Sequence, residues 1–115
     1  MKNYIQPGES LTIPAPAVTL SGAGVRAGVL FGVAVHDALA GQELTIATTG
    51  VYDLAKTSAQ AWTVGAAIYF IPASGLCTTA TTAGNLLIGV AVAAAANPSP
   101  TGLVRLNGAA PAATV

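Results

Sequence analysis

The sequence predicts an all-β fold: a small compact β-barrel or sandwich of short antiparallel strands, with at most one helical turn. Three observations predict it. Thirteen glycines and seven prolines punctuate the 115 residues. Between them lie short runs of Val, Ile, Leu, Thr and Tyr, the residues that suit a pleated, half-buried surface. Turn signals recur about every ten residues, the spacing of a barrel or sandwich rather than of a helical bundle.

Each element follows from local pattern. Tyr4-Ile5-Gln6 is a short strand candidate stopped by Pro7-Gly8. Ser10-Leu11-Thr12-Ile13 alternates polar and apolar until Pro14. Residues 15–24 are small and rich in turn formers, a loop or extended arm. Gly28 to Val35 is a buried strand, and Glu43 to Thr48 and Gly50 to Leu54 are two more. Thr57 and Gln60 have capping-box spacing, so Lys56 to Ala61 is the one place for a helical turn. Val64 to Ile71 is the strongest strand; it turns at Ala73-Ser74-Gly75 and returns through Leu76 to Thr79. Leu86 to Ala94 reads as a strand, because Gly89, Val90 and Val92 oppose the helix that its alanines would favour. Gly102 to Leu106 is the last. These elements make one domain: an arm or edge segment over 1–24, a β domain over 25–108, and a frayed tail over 109–115.

The chain also echoes itself. Leu30-Phe31-Gly32-Val33-Ala34-Val35 matches Leu87-Ile88-Gly89-Val90-Ala91-Val92 at an offset of 57 residues. Two similar hairpins about a pseudo-twofold would explain the match; chance similarity of small apolar runs is the alternative.

Charge bounds the function. Hydrophobic residues are 53%, but 25 residues are Ala. Charged residues are only 7%, against about 25% in a typical soluble domain, and the net charge is zero. Lys2, Arg26, Lys56 and Arg105 cannot build the basic patch that nucleic acid requires, nor a polybasic membrane anchor. The longest apolar run, Leu86 to Ala96, is far short of the roughly 20 residues of a membrane helix. The first residues show no secretory pattern. A fold of this mass exposes roughly 5,700 Å², so each of its few charges has about 700 Å². A standard interface takes about 800 Å² from each partner. Nearly uncharged areas of interface size are therefore expected, and with them self-association.

Reactive groups are scarce. His36-Asp37 is the one His–carboxylate neighbour pair, and adjacent strand residues face opposite sides. Asp37 is placed to open a turn to Gly41. A hydrolase built from Asp37, His36 and Ser58 is the enzymatic alternative. One His and one Cys exclude the usual zinc cages, so neither metal nor cofactor is expected. Cys77 is expected to be buried and apolar. Gly22-Ala23-Gly24-Val25-Arg26-Ala27-Gly28 has the wrong spacing for a dinucleotide loop and no βαβ context. Trp62 is a core or edge anchor, with ligand stacking as the alternative. Arg26 and Arg105, each in an apolar neighbourhood, either pair with Glu43, Asp53 or another chain, or are solvated.

Taken in order, several segments resemble a known family. They are Asn3-Tyr4-Ile5-Gln6-Pro7-Gly8, Leu30-Phe31-Gly32-Val33-Ala34, and Gly50-Val51-Tyr52-Asp53-Leu54 with Lys56. Ala61 to Phe70, Leu87 to Ala91, and Val104-Arg105-Leu106-Asn107-Gly108 complete the set. The chain resembles the small phage capsid cement (decoration) proteins, once listed as a domain of unknown function. The resemblance implies a non-enzymatic virion protein, made in the bacterial host cytoplasm and also found in prophages. It would bind the outer surface of the expanded head, as an oligomer and usually a trimer, and stabilise it. Its partners would then be the major capsid protein and itself. The candidate contacts are Tyr4, Ile5, Leu11, Ile13, Arg26, Trp62 and Arg105, with the N-terminal arm pairing with capsid strands. A carbohydrate- or surface-binding β module of a phage particle is the competing function.

Overall fold

A computed structural model describes residues 10–28 and 30–107, together with the backbone of Ala113 and Thr114. Among the described residues there are strands and no helix. Strand β1 (Ser10–Pro14) ends at its proline. Strands β2 (Gly24–Ala27) and β3 (Leu30–Ala34) follow, then β4 (Glu43–Ala47) and β5 (Thr49–Ala55). A hairpin is made by β6 (Ala67–Ile71) and β7 (Leu76–Thr78). The chain then forms β8 (Leu86–Ala91), β9 (Thr101–Asn107) and β10 (Ala113–Thr114).

Most strands fall where alternation places them, and two expectations change. Residues 24–27, between the loop expected over 15–24 and the strand expected from Gly28, form β2, and a Cβ at Gly24 would press on Phe70 and Phe31. Lys56 to Ala61 forms no helical turn. Its backbone is engaged elsewhere: Lys56 N donates to the Pro100 carbonyl and Thr57 N to that of Cys77. Of the tail, Ala113 and Thr114 pair with Leu87 and Leu86. The Tyr4–Gln6 strand lies outside the described residues.

The strands form two curled antiparallel sheets, ordered β1-β4-β3-β2 and β5-β9-β8-β6-β7, with β10 beside β8. Only Thr48 separates β4 from β5, so one extended segment passes from the first sheet to the second. The ends of the second sheet meet, because Lys56 bridges Cys77 in parallel. Of the arm-or-edge segment, residues 10–14 form the edge strand β1.

The 57-residue echo belongs to a larger repeat. Each sheet contains a Greek key in which three consecutive strands lie beside a fourth that precedes them. Thus β1-β4-β3-β2 corresponds to β5-β9-β8-β6. The irregular hydrogen bonds repeat as well. Thr19 and Ala38 exchange a pair of backbone bonds, as do Trp62 and Ala95. Gly22 N donates to the Ala34 carbonyl, as Gly65 N does to that of Ala91. Both glycines sit at φ 87° in a tight turn, a left-handed conformation that other residues rarely adopt. From Thr19 to Trp62 is a step of 43 residues, and from Ala38 to Ala95 a step of 57. The 14-residue difference is an insertion in the second unit between β6 and β8, and it carries β7.

One core joins the units. Phe31 and Val33 of the first sheet pack with Leu54, Trp62, Ile68, Phe70, Ile88 and Val104 of the second. The Phe31 and Phe70 rings lie 4.8 Å apart, tilted by 52°. A smaller cluster of Val25, Ala34, Leu44 and Ile46 covers the other face of the first sheet, with Leu11 and Ile13 packed against it. The central strand of each sheet also carries a glycine at the same point of the repeat. A Cβ at Gly89 would overlap the Arg105 carbonyl, and one at Gly32 would lie 2.9 Å from that of Ala47. Gly89→Ala is expected to cost about 3 kcal/mol in urea unfolding, because backbone must shift to admit the methyl. Gly32→Ala is expected to cost less; equal stability of Gly89→Ala and the parent would contradict this packing.

Candidate functional site

The reactive side chains are tied into the scaffold. Thr45 N donates to His36 Nε2 at 3.1 Å, so the ring proton sits on Nδ1 and is donated to the Asp37 carbonyl at 2.9 Å. Asp37 Oδ1 accepts from Ser21 N at 2.7 Å. The pair therefore pins the β3–β4 loop to neighbouring backbone, with both imidazole nitrogens occupied. Ser58 belongs to a different loop, where its carbonyl accepts from Ser99 N and from Lys56 Nζ. Asp37 lines a groove of about 240 Å³ with Val18, Leu20 and Leu39. Asp53 lines another of about 390 Å³ with residues 93–96. His36 lines neither groove. Among the described residues no group of His, Cys, Asp and Glu is placed to hold a metal.

Cys77 and Trp62 are interior. Burial raises the Cys77 thiol to about 12, since a thiolate there would lose its water. Trp62 is 1% exposed, with its ring against Gly102, where any Cβ would collide with it. As a candidate surface contact Trp62 is thus corrected: it is a core anchor, and its ring has no face to offer a ligand. Lys56 is also buried. Its Nζ donates to the carbonyls of Thr57, Ser58 and Ser99 and lies 5.8 Å from the Trp62 ring. Three carbonyls and a π face replace water around this charge, which ties two loops over the end of the core. Nothing in the local sequence distinguishes Lys56 from a surface lysine, because its partners include Ser99, 43 residues away.

The remaining candidates divide by position. Leu11 and Ile13 are half-buried on β1. Tyr4 and Ile5 lie outside the described residues. Arg105 is exposed on the outer face of the second sheet, between Val51 on β5 and Val90 on β8 rather than beside a carboxylate. Val51, Val90 and Leu103 keep 52%, 37% and 41% of their surface, so Arg105 stands among exposed aliphatic side chains, on a face that Thr101 and Asp53, opposite Leu103, also share. Arg26 is exposed on β2, and its Nη1 donates to the Gly28 carbonyl at 3.2 Å. A groove of about 570 Å³ runs past it. Neither arginine joins the other candidates in a cleft. The candidate features among the described residues are surfaces: the Val51–Arg105–Val90 row, the β2 groove, and the exposed Val18, Leu20 and Leu39 of the first unit.

A family profile described as phage cement protein matches residues 5–106, across both repeat units. Neither a search of curated proteins nor one of solved structures returned a match.

The Cys77 environment gives a direct test. At pH 8 the native thiol is expected to resist a thiol reagent and to react at once in denaturant; rapid native reaction would contradict its burial. The sign of the pH effect follows from the raised value. Above the ordinary value of 9.0 the unfolded chain gains a thiolate that the native chain lacks until about 12, so stability falls as pH rises through that window.

Proposed function

The chain belongs to the phage cement protein family, and from that premise we propose that it is a structural component of the virion. In this reading it binds the outer surface of the expanded head as an oligomer, with the major capsid protein as its partner, and stabilises the shell against internal pressure. A trimer at local threefold positions is the arrangement that the resemblance of the sequence suggests. The observation that carries the reading is the family match over both repeat units.

Physical features support it. The outer faces offer area that costs little to desolvate, because single arginines stand among aliphatic residues. An oligomer presents several such footholds at once, so individually weak contacts suffice for tight attachment. The side chains that a hydrolase would need do not share a groove, which favours a binding role over a catalytic one. A carbohydrate-binding role drew on Trp62 as a stacking platform, and that ring is in the core.

The experiment is decoration. Purified protein mixed with expanded empty heads is expected to appear as added density on the outer surface in cryo-microscopy and to raise the temperature at which heads rupture. Heads that stay bare at micromolar protein would overturn the proposal. The N-terminal arm is tested in the same assay. Deleting residues 1–13 would remove most of β1 and uncover the smaller core cluster, so the informative variant lacks only residues 1–9. It is expected to melt like the parent and to lose head binding; a deleted chain that still decorates would show that the arm is not the contact.

A further inference from the structure

The two Greek-key units differ at one edge. In the second unit the outer edge of β6 is covered by β7, with Tyr69 opposite Thr78 and Ile71 opposite Leu76. In the first unit the corresponding strand is β2, and among the described residues no strand pairs with its outer edge. Ladder parity shows which groups are available there. Ala34 N donates to the Ala23 carbonyl, so Ala23, Val25 and Ala27 turn their backbone toward β3. The N–H and C=O of Gly24 and Arg26 point away. Arg26 takes the place that Tyr69 holds in the repeat, 43 residues later.

This edge is recessed. The groove of about 570 Å³ follows Ala23 to Arg26 between a wall of residues 16–20 and a wall formed by Phe70, Pro72 and Gly75. Among the described residues its lining side chains are apolar except for Thr19 and Arg26, and none is a carboxylate.

We propose that this groove is a strand-addition site for an extended segment of the capsid protein. The segment lies antiparallel to β2, places apolar side chains toward Val25 and Phe70, and sets an acidic side chain opposite Arg26. The proposal rests on the cement reading and supplies its contact. Three features select this occupant. The repeat shows that the edge geometry accepts a strand as short as β7, three residues long. Among the described residues Arg26 is the single charge lining the groove, and it favours an acidic partner. Antiparallel pairing of β2 with the β2 of a second copy would bring two Arg26 side chains together with no carboxylate among the lining residues, which disfavours a second copy.

Arg26→Pro separates this site from the fold. Its N–H faces outward, so proline costs no bond to β3 yet removes a donor from the edge and blocks pairing. Arg26→Glu keeps the backbone donor and reverses the charge. Both variants are to be compared with the parent by thermal melt, by light scattering and by binding to expanded heads. Both are expected to melt and to self-associate like the parent, and to bind heads at least tenfold more weakly. If Arg26→Pro fails to fold, Arg26→Glu carries the comparison. Parent-level decoration by a folded Arg26→Pro or Arg26→Glu chain overturns the proposal. A changed oligomeric state in Arg26→Pro also overturns it, by making a second copy the occupant. If the parent itself leaves heads bare, the cement reading falls and this site with it, whereas failure of the groove alone leaves the parent decorating.

Discussion

Phe31 meeting Phe70 is the contact on which the rest of the structure depends. Each Greek key is a small four-stranded unit that buries too little apolar surface to stabilise itself alone. Phe31 and Val33 carry the first sheet into the core of the second, so that twelve buried residues form one cluster drawn from both units. Glycines allow that approach. Gly24 leaves room for both phenylalanine rings, and Gly102 leaves room for Trp62. Where the strands pass closest, Gly32 and Gly89 yield to a neighbouring carbonyl at the same point of each repeat. The curl of both sheets follows from these close passages, and the curl brings Lys56 to Cys77 and lets the second sheet meet itself.

The same economy explains the surface. Among the described residues the interior holds one lysine, Lys56, and backbone carbonyls rather than a carboxylate hold it. His36 and Asp37 are consumed in fixing a loop. Outside, Val51, Val90 and Leu103 surround Arg105, and Arg26 stands exposed on β2. A catalytic centre gathers several polar groups at one point. Among the described residues His36, Asp37, Asp53 and Ser58 are dispersed rather than gathered.

Much of this was legible in the residues. Period-two alternation in Leu11 to Ile13, Leu44 to Ile46 and Leu103 to Leu106 marks strands with one buried face, and those strands form. The repeat was half legible. The 57-residue offset survives in β3 and β8, where Gly32 and Gly89 answer the same crowding. The 43-residue offset is hidden, because Thr19 and Trp62 are unlike in chemistry though alike in backbone bonding. The burial of Trp62 depends on Gly102, forty residues away, and that of Lys56 on Ser99, so no local pattern could reveal either. β2 was obscured for the opposite reason: glycine reads as a turn, while here its missing side chain is what admits the strand to the core.

The proposed attachment to the head rests on neutral, largely apolar area rather than on ion pairs. The salt dependence of head binding tests it most directly, because attachment through many ion pairs weakens steeply as salt rises while apolar contact does not. Affinity measured from low salt to about 1 M is predicted to fall by no more than one screened ion pair, and to strengthen in sulfate. A loss of several orders of magnitude across that range would contradict the account.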